Sequence, residues 1–265
     1  MEKALLPNGS PDSRNPGARL VPAPENSLCF ENANGLVESA QGLLRQRPAE
    51  VVVELGKVEL IDSSGLRALL HIRRACEDAG VLFRLGSVSQ CVDRIIAMSK
   101  LDSVFGVPRP HGDTRPAKPG PALDLQAPGW RIHEYCAVSD PSVISRLRER
   151  AMQAAIEAGA QGDMLCDIQV AVGEALTNAY KHGSPRKGTS QIQMRCMSCP
   201  AAIVVEVQDG GPVFDPNGAS IPDPYKMRDH GMGIYLMREA MDLVEFESGC
   251  PGNRVRMVKW LRNGD

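Results

Sequence analysis

Several features that would narrow the function are missing from this sequence of 265 residues. There is no basic excess, because 30 lysines and arginines stand against 32 aspartates and glutamates, so we expect neither nucleic-acid binding nor a polybasic membrane anchor. No apolar run approaches the roughly 20 residues of a membrane span, and residues 1–27 lack the apolar core of a signal peptide. We therefore expect a cytoplasmic protein whose partner is a protein or a small molecule.

The eight cysteines form no framework for a metal site. Only Cys196 and Cys199 make a C-x-x-C pair, and no second pair stands at the spacing of a zinc site. The two halves of the chain also share no internal repeat. A structural zinc site and a repeat architecture are therefore not expected.

Proline-rich stretches divide the chain. Residues 1–27 contain five prolines and are predicted to be a disordered tail, and residues 108–128 contain six and are predicted to be a stiff linker. Residues 28–107 and 129–263 remain as two domains, each long enough to bury its own core.

The first domain alternates strand and helix patterns. A helix is predicted over residues 34–46, an interior strand over 51–61 with an irregularity at Gly56, a helix over 66–79 that ends at Gly80, a strand over 81–85 and a helix over 92–98. This order is typical of an α/β sheet domain.

The second domain mixes helices with antiparallel strands. The patterns predict a strand over 130–138, a helix over 141–158 capped by Ser139 or Asp140, a hairpin of strands 191–197 and 201–208, a mobile loop over 214–228, a helix over 234–244 and closing strands over 245–247 and 254–261.

The segment VAVGEALTNAYKHG, residues 170–183, carries a polar stripe on a largely apolar helix. Glu174, Asn178 and His182 are spaced four apart and therefore share one face. The alternative is an ordinary solvated face with an exposed Glu174. Two glycine-rich turns further along the chain favour a functional site, because Asp209 begins the segment DGGPVFDP and Gly231 and Gly233 lie in HGMGIYLM.

These three motifs, in this order, resemble the GHKL (Bergerat-fold) ATP-binding domain over most of residues 129–262, and within it the anti-sigma-factor serine kinases. The resemblance implies an α/β sandwich that binds ATP and Mg²⁺. Asn178 offers the amide oxygen that Mg²⁺ accepts, and Glu174 matches the glutamate assigned as the base that takes the proton of an attacking hydroxyl.

The same resemblance assigns the turns. Asp209 matches the aspartate that accepts a hydrogen bond from the adenine amino group, and Gly211 would let the base approach the backbone. Gly231 and Gly233 would open a helix whose backbone N–H groups cradle phosphate. The alternatives are a simple hairpin turn and a glycine-rich helix start. The family commonly has a Thr after a late Gly in the closing strand, and Asn253 stands there, which alters one expected phosphate contact.

The segment VVVELGKVELIDSSGLRALL in the first domain resembles the STAS domain of anti-sigma-factor antagonists. Ser64 matches the serine that accepts phosphate in that family, and the adjacent Ser63 is the alternative. A phosphate there would meet a helix N-terminus and add about −1.5 to −2 of charge. Both serines could instead be simple N-caps. The family's usual Asp-Leu-Ser is Glu54, Leu55 and Gly56 here.

Together the two resemblances predict a partner-switching regulator of bacterial transcription or signalling. We expect the second domain to phosphorylate a serine on a STAS domain, either its own Ser64 or that of a partner, and so to control an anti-sigma type interaction with a sigma factor or another regulatory protein, with a homodimer as one assembly. The alternative is a non-catalytic, nucleotide-dependent protein-binding module. A sensor histidine kinase is not favoured, because no helical hairpin with a phosphoacceptor His precedes residue 129.

Overall fold

The computed structural model describes residues 17–107, 123–185, 188–213, 231–249 and 252–261. The chain divides into two compact units, Met1–Pro108 and Arg109–Asp265. Each has its own strands, helices and buried core, which confirms the prediction of two α/β domains. None of the helices in the described ranges is long and apolar enough to cross a membrane.

The described part of the first unit consists of short parallel strands and helices. The strands are β1 (Ala18–Pro22), β2 (Asn26–Leu28), β3 (Glu50–Leu55), β4 (Val58–Ile61) and β5 (Leu82–Val88), and the helices are α1 (Ala33–Leu44), α2 (Ser63–Asp78), α3 (Gln90–Met98) and α4 (Asp102–Phe105). Strands β1, β3 and β5 form one parallel sheet in that order, and β2 pairs with β4. Helices α1 and α2 pack against each other.

Two predictions for this unit are wrong. The end of the predicted disordered tail is folded, because β1 pairs with β3 and Val21 is buried. Its Pro22 is tolerated because it is the last residue of a strand at the sheet edge, where a missing N–H leaves no gap in a central ladder. The strand predicted over 51–61 is two strands, since the chain turns at Gly56 and β3 and β4 join different sheets.

Helix α2 begins directly after Asp62, which is its N-cap. Oδ1 of Asp62 accepts hydrogen bonds from the backbone N–H groups of Ser64 at 2.8 Å and Gly65 at 2.9 Å, and Oδ2 accepts one from Phe30 at 3.1 Å. The alternative that the two serines are themselves N-caps is therefore wrong. The predicted glycine at the helix end is confirmed, because Gly80 follows α2 with φ of 67°.

The second unit is an antiparallel sheet with helices packed on it. Its described strands are β6 (Arg131–Val138), β7 (Gln191–Cys199), β8 (Ala202–Asp209), β9 (Leu243–Gly249) and β10 (Gly252–Trp260), and its described helices are α5 (Pro141–Ala158), α6 (Asp163–Lys181) and α7 (Met232–Ala240). The strand order is β6-β7-β8-β10-β9. Helices α5 and α6 pack on each other and on the sheet, and α7 packs on α6.

The two faces of this sheet are covered differently. Lys259 of β10 reaches Asp167 of α6, so its neighbours Val258 and Trp260 point to the opposite face. There, buried Val258, Val204 and Met197 pack against a group of partly buried side chains, which are Leu123, Leu125, Trp130 and Trp260. The end of the predicted linker is thus part of the folded unit.

Most predicted elements of this unit are confirmed. Strands β7 and β8 form the expected hairpin, and α5 begins after the N-cap Asp140, whose Oδ1 accepts from the Ser142 N–H. Ser139 is not the cap. The helix predicted over 234–244 is displaced, since α7 ends at Ala240 and Val244 lies in β9. The loop predicted over 214–228 lies outside the described residues.

Candidate functional site

Glu174 and Asn178 lie on α6 beside the first turn of α7. A Cβ placed on Gly233 would lie 2.3 Å from Oε2 of Glu174 and 3.8 Å from Nδ2 of Asn178. Glu174 is only 1% exposed, whereas Asn178, one turn later, is half-buried. The alternative of an ordinary exposed carboxylate is therefore wrong for Glu174. Gly233 is required here because any side chain would meet the carboxylate.

The third residue of the polar stripe, His182, differs from Glu174 in its exposure to solvent. His182 is exposed and is the C-cap of α6, where its backbone N–H donates to the carbonyl oxygen of Asn178 at 2.8 Å. The helical spacing alone does not separate a buried Glu174 from an exposed His182, because burial depends on what packs against each turn.

Asp209, at the end of β8, is enclosed by three glycines. A Cβ on Gly183 would lie 2.1 Å from Asp209 Cγ, and a Cβ on Gly252 would clash with the carbonyl oxygen of Asp209. Gly211 donates its N–H to Asp209 Oδ1 at 2.8 Å, and a Cβ on it would lie 2.6 Å from the Cα of Gly183. Gly211 is thus required by the close approach of the α6 terminus, a reason that the sequence did not predict.

Asn253 completes the surroundings of Asp209. It lies opposite Asp209 in the register of β8 and β10, and its Nδ2 donates to Asp209 Oδ1 at 3.2 Å and to the carbonyl oxygen of Pro212 at 2.9 Å. These two bonds tie Asn253, the residue that stands where the family commonly has Thr, to the aspartate at the end of β8 and to the residue that follows its turn.

The N-terminus of α7 is formed by glycine backbone. Gly231 is the N-cap with φ of 111°, a conformation that favours glycine, and no side chain among the described residues caps the helix. The first backbone N–H groups of a helix have no partner within it, so those at Met232 and Gly233 point out of its N-terminal end, and Gly233 itself lies against Glu174. The helix thus begins two residues earlier than predicted, with Gly233 in its first turn. Asp229 and His230 lie outside the described residues.

Lys259 and Asp167 connect α6 and α7 at the ends away from this cluster. The Lys259 ammonium lies 2.7 Å from Asp167 Oδ2 and donates to the carbonyl oxygen of Ala240, the last residue of α7, at 2.6 Å. The sequence did not predict this pair. The available signal was a lysine on the same face of the strand as Val255 and Met257, but its partner 92 positions away could not be identified from spacing.

In the first unit, Ser63 and Ser64 both lie in the first turn of α2, and each is 8% exposed. The guanidinium of Arg67 donates from Nη2 to Ser64 Oγ at 3.3 Å. Gly65 is required because a Cβ there would lie 2.3 Å from the carbonyl oxygen of Leu28. The predicted phosphate acceptor is therefore buried in the first turn of its helix and hydrogen-bonded to an arginine one turn later.

The unusual Glu54 has an internal role. Its Oε2 accepts from the backbone N–H of Ser87 at 2.9 Å and from the Ser87 hydroxyl. The carboxylate lies against Gly86, where a Cβ would lie 2.1 Å from Oε1. This carboxylate thus ties the ends of β3 and β5 together.

Comparison with known proteins agrees with this arrangement. The histidine kinase-like ATPase domain family matches residues 137–259, and the STAS domain family matches residues 13–115. Both matches confirm the resemblances inferred from the motifs.

Among curated relatives, an anti-sigma F factor of Clostridium botulinum is 35% identical over 106 residues, which cover 37% of this chain and 71% of the relative. The serine-protein kinase RsbW of Bacillus velezensis is 29% identical over 135 residues, which cover 48% of this chain and 83% of the relative. A solved structure of the RsbU and RsbW domains of a Mycobacterium tuberculosis protein is 14% identical, with a TM-score of 0.35, over 48% of this chain and 32% of that chain.

Proposed function

This chain belongs to the family of anti-sigma factors with a histidine kinase-like ATPase domain, and we propose that it is an ATP-dependent serine kinase of a STAS domain. The presence of a STAS domain in the same chain supports this substrate class. The kinase would act as a partner-switching regulator that alters an anti-sigma type interaction with a sigma factor or another regulatory protein.

The observation that carries the proposal is the convergence of Glu174, Asn178 and Gly233. Residues from two helices more than 50 positions apart bring a buried carboxylate, an amide and outward N–H groups together. A carboxylate accepts protons, an amide oxygen suits Mg²⁺, and helix N–H groups suit phosphate. These are the three requirements of phosphoryl transfer from a nucleotide.

Each group has a separate role in the proposal. Asn178 would hold Mg²⁺, and the backbone at Gly231 and Gly233 would receive the phosphates. Asp209 would accept a hydrogen bond from the adenine amino group, with Gly211 keeping the adjoining backbone close. Bound ATP with Mg²⁺ supplies the phosphoryl group and neutralises charge during its transfer.

The chemical step follows from these positions. Glu174 would take the hydroxyl proton of the acceptor serine while the serine oxygen forms a bond to the γ-phosphorus. The bond from that phosphorus to the bridging oxygen breaks, and ADP leaves. Ser64 is the proposed acceptor, with Ser63 as the alternative, and Arg67 supports Ser64 because its guanidinium already contacts the hydroxyl.

Two variants of the full chain test the proposal and the route of transfer. Ser64→Ala keeps Glu174 but lacks the acceptor, and Glu174→Gln keeps the acceptor but lacks the base. We expect a mixture of both with labelled ATP and Mg²⁺ to label Ser64 of the Glu174→Gln chain if transfer occurs between chains. Label on the wild type alone would indicate transfer within one chain, and label on Ser63 would select the alternative acceptor.

The second candidate is a nucleotide-dependent binding module without catalysis. The burial of Glu174 favours it, because a seryl hydroxyl can reach this carboxylate only after its surroundings move. Under this alternative, Glu174→Gln leaves both nucleotide and partner binding unchanged. No label on the wild type or on an added STAS-domain protein, with ADP binding intact, would overturn the kinase proposal and leave the binding module.

A further inference from the structure

We propose that Asn253 is a positioning residue that gives the nucleotide site its preference for a base with an exocyclic amine. The inference rests on the proposed function, because it requires Asp209 to face the base. It adds a residue that determines which base is selected, and it starts from the two hydrogen bonds of the Asn253 amide.

The orientation of this amide is fixed by its neighbours. Nδ2 lies between two oxygens, Asp209 Oδ1 and the carbonyl oxygen of Pro212, and both can only accept. Reversing the amide would place Oδ1 against those two acceptors, which is repulsive. The NH₂ group must therefore face Asp209, and the choice between the two orientations follows from the hydrogen bonds.

This orientation is unfavourable for the other polar atom of the amide, Oδ1. Asn253 Oδ1 is buried and accepts no hydrogen bond from any residue that the structure describes. A buried acceptor without a partner is destabilising, and such atoms are uncommon in folded proteins. The hydrogen bond that Nδ2 donates to Asp209 offsets this loss, because a hydrogen bond to a carboxylate is stronger than one between neutral groups.

The backbone is shaped to bring the amide to this place. Gly252 has φ of 78° and lies so close to Asp209 that a Cβ there would clash with the aspartate carbonyl oxygen. Only glycine fits both the conformation and the space. The next residue, Asn253, is thereby placed opposite Asp209 in the strand register.

The hydrogen bonds of Gly211 and Asn253 distinguish the two carboxylate oxygens of Asp209. Oδ1 accepts from Gly211 at 2.8 Å and from Asn253 at 3.2 Å, whereas Oδ2 accepts no hydrogen bond within the described ranges. Two donors on one oxygen fix the rotation of the carboxylate and leave Oδ2 to accept from a ligand. A 6-amino purine presents a donor to this oxygen, whereas a 6-oxo purine presents an acceptor and is repelled.

The test compares ADP with IDP, which carries a 6-oxo group in place of the amine. Calorimetry on the full chain with Mg²⁺ should give at least about tenfold tighter binding of ADP to the wild type, as one hydrogen bond to a charged group provides. Asn253→Ala should lower ADP affinity by about tenfold and IDP affinity by less than about twofold. Asn253→Thr, which keeps a donor hydroxyl, should restore most of the preference.

A matched control separates base selection from general damage. Asn178→Ala, placed at the proposed metal ligand, should weaken ADP and IDP by the same factor. If Asn253→Ala also weakens both equally, or leaves the ratio unchanged, Asn253 does not select the base and this inference is overturned while nucleotide binding stands. If the folded wild type binds neither nucleotide, the proposed function and this inference both fail.

Discussion

Lys259 Nζ lies 2.7 Å from Oδ2 of Asp167, and the two side chains are 12% and 2% exposed. The pair joins β10 to α6, and the same ammonium binds the carbonyl oxygen of Ala240 at the end of α7. Both helices that carry the candidate site are therefore tied to the sheet through one lysine. A buried ion pair does not by itself raise stability, but leaving one charge without its partner is costly.

Lys259→Met should destabilise the second unit by about 3 kcal/mol, because it removes the lysine from an ion pair with a carboxylate that is only 2% exposed. Urea unfolding followed by tryptophan fluorescence measures this unit alone, since both tryptophans of the chain, Trp130 and Trp260, lie in it. The double variant with Asp167→Leu should recover part of the loss. The control is Glu247→Ala, which breaks an exposed pair with Arg254 and should cost at most about 1 kcal/mol. Equal losses in both single variants would contradict the argument.

Gly233→Ala should disable phosphoryl transfer more than it disturbs folding. The new methyl group would lie 2.3 Å from Glu174 Oε2, so the carboxylate must move. A displacement of about 1 Å near the reacting groups lowers the rate by about 100-fold. The rate of phosphoryl transfer from labelled ATP measures this effect, and thermal unfolding of the same variant measures the change in stability.

Gly173→Ala is the matched control for that change, since Gly173 is also helical but a Cβ there would lie 3.7 Å from Arg148 Cδ, an ordinary contact. It should keep transfer and stabilise α6 by about 0.5–1 kcal/mol, the usual gain of alanine over glycine inside a helix. If both variants keep full transfer, close packing of Gly233 on Glu174 is not needed for the reaction.

Hydrogen exchange can test separately the hydrogen bonds that the two oxygens of Asp62 accept. Asp62→Ala removes the acceptors for Ser64, Gly65 and Phe30, and exchange of all three amides should accelerate by about tenfold or more, as expected for the loss of an N-cap. Asp62→Asn keeps one oxygen as the helix cap but turns the other into a donor. Exchange should then accelerate at Phe30 alone. Acceleration at all three sites in both variants would show that the bonds are not separable.

Cys196 should make the second unit sensitive to alkali. Burial raises the pKa of this thiol from 9.0 to about 12. The unfolded thiol therefore releases its proton first, so stability from this group is complete below about pH 9 and is lost as the pH rises toward 12. Urea unfolding at pH 8 and pH 10.5 should show a larger decrease for the wild type than for Cys196→Ala. The same decrease in both would mean that other groups cause it.

The local patterns of the sequence determined most elements and the identity of the site motifs. Asp140 followed by Pro141 predicts the start of α5, and two strand-like runs separated by a short turn predict the hairpin of β7 and β8, because capping and strand propensity depend on near neighbours. The order of the motifs at Glu174, Asp209 and Gly231 was likewise sufficient to identify the family.

The sequence could not predict contacts between segments that are far apart along the chain. The separation of β3 from β4 and the folded β1 depend on pairing partners, which no local periodicity encodes. The helix stripe did not distinguish buried Glu174 from exposed His182, since burial depends on the segment that packs against each turn, as Gly233 of α7 does at Glu174.

Three glycines also separate what the sequence determined from what the tertiary structure decided. The sequence by itself placed Gly211 in a turn, Gly233 beside a helix start and Gly252 at the closing strand. Only the tertiary structure decided why they are needed, because each lies against another segment: Gly211 against Gly183, Gly233 against Glu174 and Gly252 against Asp209. The physical reason is excluded volume, which acts between atoms that are close in space, however far apart they are in the chain.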